Sequence, residues 1–238
     1  MTDVAVSRRE RARAATIAEI KEAAFALMAE HGTTDVRFTD IARVMGMTPP
    51  ALYRYYADRD DLLGDLISDS YTHLGAAVAE ARDAVDPDDI GNRWYAAASA
   101  YREWARTQPQ RFALVFGQPV PGYVAPEDGP TTEAAKRAMS QLGDLFISAA
   151  QSGQLRPPLV TEVSGAIAAC ADEKHPELEG IVPPESFQAM LQAWASLHGF
   201  TCLEAYGHFD WVGEEALDEL FRGHVTMIAR AAGVPVPE

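Results

Sequence analysis

Between Arg37 and Arg59 the chain reads RFTDIARVMGMTPPALYRYYADR, and this run admits few folds other than two short helices joined by a tight turn. Phe38, Ile41, Ala42 and Met45 recur at i, i+3, i+4 and i+7, which places them on one helix face. Gly46 supplies a left-handed stop. Thr48 follows as an N-cap, with Pro49 and Pro50 in a first turn where a missing N–H costs least. Leu52 and Tyr56 stand one turn apart on the buried side of this second helix, leaving Thr48, Pro50, Ala51, Tyr53, Arg54 and Tyr55 at or near the exposed tip. Asp58 caps a further helix, and Arg59 sits in its first turn, where a cation opposes the helix dipole unless an anion lies close by. A unit of this shape presents a helix to a DNA groove, and a phosphate would be the missing anion. The alternative is an ordinary helical hairpin of an all-α protein, with its tyrosines packed as core.

Upstream lies one amphipathic helix with Ile17, Ile20, Ala24, Leu27 and Met28 on a stripe and Gly32 just past its end. This makes a three-helix unit starting near residue 14, preceded by Ser7-Arg8-Arg9-Glu10-Arg11-Ala12-Arg13. Residues 14 to 63 resemble the N-terminal domain of the tetracycline-repressor (TetR) family of bacterial transcription regulators. The matching elements are Ile41-Ala42, Gly46, Met47-Thr48, Leu52-Tyr53 followed by Arg54-Tyr55-Tyr56, and Asp58-Arg59-Asp60-Asp61-Leu62. The resemblance implies that Thr48, Pro50, Tyr53 and Tyr55 contact DNA and that Arg59 clamps a phosphate. Arg37, Thr39, Pro49, Ala51 and Arg54 complete the candidate DNA-binding set. Two residues depart from the family's usual pattern. Arg37 stands where a Ser or Thr usually caps the second helix, and Tyr56 replaces a phenylalanine, so its hydroxyl needs solvent or a partner.

A net charge of −15 and a pI near 4.7 argue against DNA binding when taken whole. Divided at residue 57, the first part carries +1 and the remainder −16, so the acidity belongs to the second region. Phosphate affinity depends on local cations facing the backbone. No apolar run approaches the roughly 20 residues that span a bilayer, and the N-terminus lacks a signal peptide's apolar segment, so a cytoplasmic protein without membrane association is expected. Cys170 and Cys202 are read as plain buried thiols. The six histidines form no metal-ligand pattern, and no nucleophile elbow or phosphate-binding glycine loop occurs. Neither a metal, a cofactor nor a catalytic residue is expected.

The region from residue 60 to 238 also reads as helical, with segments expected at Asp60–Arg82, Ile90–Thr107, Pro109–Phe116, Thr131–Gln151, Leu159–Ala171, Pro184–Tyr206 and Glu214–Ala232. Gly117 to Pro130 is too rich in Pro and Gly for a helix and is either an ordered excursion or a mobile flap. Trp94, Tyr101 and Trp104 on one helix are first candidates for an effector pocket, backed by Phe112 and Phe116, with Phe146, Met190, Trp194 and His198 as further walls. The same aromatics also suit a core. Trp194-Ala-Ser-Leu-His198-Gly199 resembles the Trp-His-Gly signature of one branch of TetR-like C-terminal domains. Leu217, Leu220, Phe221, Val225 and Ile228 form a stripe too apolar to face only solvent. In the family resembled, such last helices make a four-helix bundle with a second copy.

The expectation is therefore an all-α chain: residues 1–59 an N-terminal arm and helix-turn-helix (about 37–57), residues 60–238 a helical effector-binding and dimerisation domain joined to it by a long helix. Its partners would be a palindromic double-stranded DNA operator, a small, largely apolar effector and a second copy of itself. It would act as a repressor that the effector releases from the operator. A small-molecule-binding relative without DNA binding, or a helical enzyme with an apolar pocket, are the alternatives.

Overall fold

The computed structural model describes residues 7–236, among which every regular element is helical. Residues 1–6 of the expected arm lie outside the described residues. The elements are α1 (Arg8–His31), α2 (Phe38–Val44), α3 (Pro49–Leu52), α4 (Arg59–Asp83), α5 (Ile90–Thr107), α6 (Pro109–Phe116), α7 (Pro130–Gln151), α8 (Gly165–Lys174), α9 (Pro184–Ala205) and α10 (Glu214–Ala232), with a 3-10 turn at Pro176–Leu178. None is long and apolar enough to cross a membrane.

α1 starts earlier than its apolar stripe suggests. The arginine-rich segment forms its first two turns, made possible by a capping box: the Glu10 N–H donates to Ser7 Oγ (3.2 Å) and the Ser7 N–H to the Glu10 carboxylate (2.8 Å). Gly32, at φ 62°, ends it in the left-handed conformation. α8 starts later than expected. Leu159 is held out of a helix because its N–H donates to the Ala231 carbonyl (2.8 Å), and the Ser164 side chain then caps Ile167.

Contacts group the chain into two units, and α4 runs through both. The first contains residues up to Tyr71 together with Gln108–Ala135. Its core joins Ile20, Leu27 and Met28 of α1 to Ile41, Leu52 and Leu62, Leu63 and Leu66, and recruits Leu114 and Val120 from later in the chain. A polar lattice ties the same helices: Asp69 accepts from Lys21 Nζ (2.7 Å) and Arg111 Nη1 (2.5 Å), and the Arg111 guanidinium lies 4.2 Å from the Phe25 ring centre. Burial works to raise the Asp69 carboxyl, yet the two cations outweigh it and hold it below the usual carboxylate range. Residues 117–130 form an ordered excursion: Val120 is buried and Tyr123 packs on this core, its hydroxyl close to Gly64 of α4.

The second unit comprises Thr72–Thr107 and the chain from Lys136 onward. α5 packs on both α9 and α10 and buries Trp94, Ala97, Ala98, Tyr101, Arg102, Trp104 and Ala105. A buried arginine needs full pairing, and Arg102 has it. Its Nε and Nη2 donate to the Glu204 carboxylate (2.6 and 2.7 Å), Nη1 donates to Asp218 (2.8 Å), and the guanidinium covers the Phe221 ring at 4.7 Å. The thiols are free as expected but not both enclosed: Cys170 is exposed on α8 because that helix buries none of its residues, and Cys202 is half-buried.

Gly233 closes α10 at φ 76°, with its carbonyl accepting from the Arg156 N–H (2.8 Å); a Cβ there would collide with the Arg156 backbone carbonyl. Gly32 has a similar φ but open space around it. Gly32→Ala should cost about 1 kcal/mol, the left-handed penalty alone. Gly233→Ala should cost about 2–3 kcal/mol, because backbone must also move. Urea denaturation of the two variants checks the difference, and equal losses would contradict the packing at Gly233.

Candidate nucleic-acid interface and effector region

The reading head is built around a very short helix. Phe38, Ile41 and Ala42 bury one side of α2, and Gly46 turns the chain at φ 65° with the Met47 N–H returning to the Ala42 carbonyl (2.8 Å). Thr48 has N-cap backbone angles, but its hydroxyl caps nothing. Pro49 and Pro50 bring no N–H to cap, and the Ala51 N–H already bonds the Thr48 carbonyl (2.8 Å). α3 ends at Leu52, and residues 53–55 continue as turns. Leu52 and Tyr56 are buried as their spacing requires. The Tyr56 hydroxyl finds its partner in Asp65, to which it donates at 2.6 Å; burial first, and that bond second, push its pKa far up.

Arg37, Thr39, Thr48, Pro49, Pro50, Tyr53 and Arg54 are exposed, whereas Ala51, Tyr55 and Arg59 are half-buried. Tyr53 keeps 57% of its surface free while its ring rests on Phe38 (5.1 Å between centroids). Arg37 stands at the α2 N-cap with no side-chain capping bond; its carbonyl accepts from the Asp40 and Ile41 N–H groups instead. Arg59, beside the Asp58 cap that accepts from the Asp61 N–H (2.8 Å), already holds a carboxylate: Asp35 Oδ1 lies 2.7 Å from Nη2. Arg13 was outside the sequence-derived set, although the arginine-rich run containing it was visible. It donates to the Arg54 carbonyl (2.9 Å) and, at 3.4 Å, to that of Tyr55.

The candidate effector residues fall into separate groups. Phe112 and Phe116 pack on each other within the first unit (5.3 Å). In the second unit, three buried aromatics of α5 send their polar ends to three different elements. Trp94 Nε1 donates to the Val225 carbonyl of α10 (3.3 Å), and its ring meets Phe146 edge-on. Trp104 Nε1 donates to His73 Nδ1 of α4 (2.8 Å). The Tyr101 hydroxyl is 2.7 Å from His198 Nδ1 of α9, where Trp194 stacks on the imidazole (5.1 Å, 20°) and Cys202 Sγ lies 3.3 Å from Nε2. Trp94, Tyr101, Trp104, Phe112 and Phe146 are buried. Met190, Trp194 and His198 are half-buried, and Met190 Sδ abuts Gly143.

The apolar stripe of α10 is divided. Phe221, Val225 and Ile228 lie in the unit's own core, Leu217 is half-buried, and Leu220 is 48% exposed. Leu220, Gly223 and Met227 of α10 and Leu191, Ala195 and Leu203 of α9 are exposed. Gly223 and Met227 also border a groove of about 560 Å³ along α10, whose other walls are Leu159 and Ala231 with the polar Glu219, Arg222, Thr226 and Arg230.

Burial pushes the His198 pKa below its ordinary value near 6.5. The unfolded chain then binds the proton that the folded one refuses, so stability is complete above about pH 6.5 and declines as pH falls toward the folded pKa. Chemical denaturation at pH 7 and pH 5 should show this decline, and His198→Gln should reduce it. An identical slope in both chains would mean that other groups carry it.

Comparison with known proteins agrees with this geometry. Residues 20–66 match the model of the bacterial regulatory proteins of the tetR family, and residues 94–228 match that of the tetracyclin repressor-like C-terminal domain. The HTH-type transcriptional regulators Rv1816 of Mycobacterium tuberculosis and Mb1846 of Mycobacterium bovis are each 33% identical over 207 residues, covering 86% of both chains. The crystal structure of SCO4313, a regulator by inference, superposes with a TM-score of 0.72 at 33% identity, over 93% of this chain and 98% of that one. A TetR family transcription regulator from Marinobacter aquaeolei shares the fold at TM-score 0.56 and 16% identity, over 92% of this chain and 97% of that one. With a helix-turn-helix head, a helical body and relatives that match along most of its length, this chain belongs to the TetR family of DNA-binding transcriptional regulators.

Proposed function

We propose that this regulator is a homodimeric repressor that reads a near-palindromic operator with its recognition turn and leaves it when a small, largely apolar effector binds the second unit. The observation that carries the DNA reading is the outward presentation of Thr48, Tyr53 and Arg54 on a turn whose other side, Leu52 and Tyr56, is locked in the core. The Thr48 hydroxyl is spared from capping and Tyr53 rests on Phe38, so both are pre-placed for phosphate oxygens. Arg37 and Arg54 add charge at the same surface, and Arg59 reaches a phosphate by exchanging Asp35.

A single head covers too few base pairs for specificity, so two must act together. The second copy docks on the open face of α9 and α10, around Leu203, Leu220 and Met227, since apolar surface of this kind on paired helices is ordinarily covered. For the effector, we favour the half-buried group Met190, Trp194 and His198 over Trp94 and Phe146, which are already enclosed by protein. His198 and Tyr101 would supply the polar contact within an otherwise aromatic lining. Effector and DNA would then favour different arrangements of the two heads, and release follows from that difference in affinity.

Tyr53→Phe should weaken binding to DNA from the chain's own upstream region by about 1–2 kcal/mol, the range for a hydrogen bond to a charged group. Fluorescence anisotropy measures this, and a chain that binds no DNA in a salt-sensitive, sequence-dependent way would end the operator reading. Leu220→Glu places a carboxylate on the open face without touching the core. Sedimentation should show a folded monomer with weakened operator affinity, whereas an unchanged dimer would move the interface elsewhere.

A further inference from the structure

We infer that Arg13, on the first helix, is a positioning residue for DNA reading: it clamps the turn that follows the recognition helix and fixes Tyr55, and does not itself hold DNA. This rests on the operator reading above. α3 has a single turn, and a helix that short leaves its last carbonyls without intrahelical donors. The carbonyls of Ala51 and Leu52 are met by the N–H groups of residues 53–56, and Arg54 and Tyr55, in the turn that follows, carry two carbonyls that point to α1. The guanidinium of Arg13 donates Nη1 to the first at 2.9 Å and Nη2 to the second at 3.4 Å, with its carbon 5.2 Å from the centre of the Tyr55 ring. One planar fork therefore meets two successive carbonyls and an aromatic face, a geometry that suits guanidinium and not ammonium.

The reach across more than forty residues is made possible by the start of α1. The Ser7–Glu10 box secures the turn before Arg13, and the next apolar anchors, Ile17 and Ile20, pack on the same core as Leu52, Tyr55 and Tyr56. The clamp bonds are exposed, so their removal should leave the core intact and loosen only the segment they hold. Arg8, Arg9 and Arg11 project from the same two turns and are exposed, and no bond from their side chains to the recognition segment is present among the described residues. Among the described residues, Arg13 is the member of the arginine-rich run that bonds the reading head.

Two measurements test this with full-length protein. In the absence of DNA, hydrogen exchange in Arg13→Ala should accelerate in residues 51–56, including the Tyr55 and Tyr56 amides that bond the Leu52 carbonyl, while residues 20–28 keep their protection. Unchanged exchange in 51–56 would overturn the clamp whether or not the chain binds DNA. On DNA from the chain's upstream region, Arg13→Ala and Arg13→Lys should both weaken binding about tenfold, with the slope of log affinity against log salt left as in the wild type. A slope lowered by about one in Arg13→Ala, with Arg13→Lys binding as wild type, would make Arg13 a phosphate contact and refute the positioning role. In a Tyr55→Ala background the Arg13→Ala loss should shrink well below tenfold, and full additivity would likewise refute it. Faster exchange in 51–56 combined with a wild type that binds no DNA would retain the clamp, refute its part in reading, and refute the operator reading with it.

Discussion

A helix of one turn cannot hold itself, and that constraint shapes the first unit. Nucleation fixes several backbone angles for a single hydrogen bond, so an isolated Pro49–Leu52 would not persist in water. Its first two residues are prolines, preset in φ but without N–H groups, and its N-cap hydroxyl is unused. Order has to be imported. Leu52 and Tyr56 anchor it from below, and the Tyr56 hydroxyl ties it to Asp65 on α4. Asp65 also faces Lys21 (3.7 Å), which pairs with Asp69, which pairs with Arg111. Recognition turn, α1, α4 and α6 are thus connected through one polar chain over one core. Through Arg111 and Asp69, α6 is thereby tied to the helices that carry the reading head.

The second unit solves a different problem, that of packing a central helix with polar aromatics. Tyr and Trp fill volume but carry groups that need partners when buried. α5 answers by giving each a different neighbour: Val225 for Trp94, His198 for Tyr101 and His73 for Trp104. Arg102 does the same for charge, joining α5 to Glu204 on α9 and Asp218 on α10. Losing Arg102 would strand Glu204, whose side chain is only 10% exposed, while Asp218, at 52%, would rehydrate; since a packed apolar substitute for a buried pair can be neutral, the pairing with Glu204 need not add net stability.

Helix identities were legible because the chain marks them locally. The periodicity of α2, the stop at Gly46 and the Asp58 cap act within a few residues, and each appears where its pattern places it. Features set by distant residues were not legible. Four arginines at the start of α1 oppose the helix dipole and read as an arm; the Ser7–Glu10 box that offsets them could be read, but Arg13's partners lie more than forty positions away. Spacing put Trp94, Tyr101 and Trp104 on one helix, yet could not say that their polar ends diverge. The α10 stripe correctly implied a buried face, but periodicity does not distinguish burial against the same chain from burial against another. Phe221, Val225 and Ile228 proved to be the former, while Leu220 and Met227 remain open.

The two kinds of ion pair near the head differ in what they permit. Arg59 and Asp35 are joined at 2.7 Å, but the Asp35 side chain is 51% exposed, so it loses little on release because water replaces the cation. Exposed pairs are worth about 0–1 kcal/mol. A phosphate offering more charge and more acceptor oxygens can therefore take Arg59 at small cost. Until it does, Asp35 neutralises a cation that would otherwise oppose the dipole of α4. Asp69 stands on the other side of this balance: it holds two cations, Lys21 and Arg111, whose side chains are only 17% and 11% exposed, and releasing either would leave a poorly hydrated charge. The same electrostatics thus leaves Arg59 exchangeable at the surface proposed to face DNA and keeps the scaffold behind it fixed.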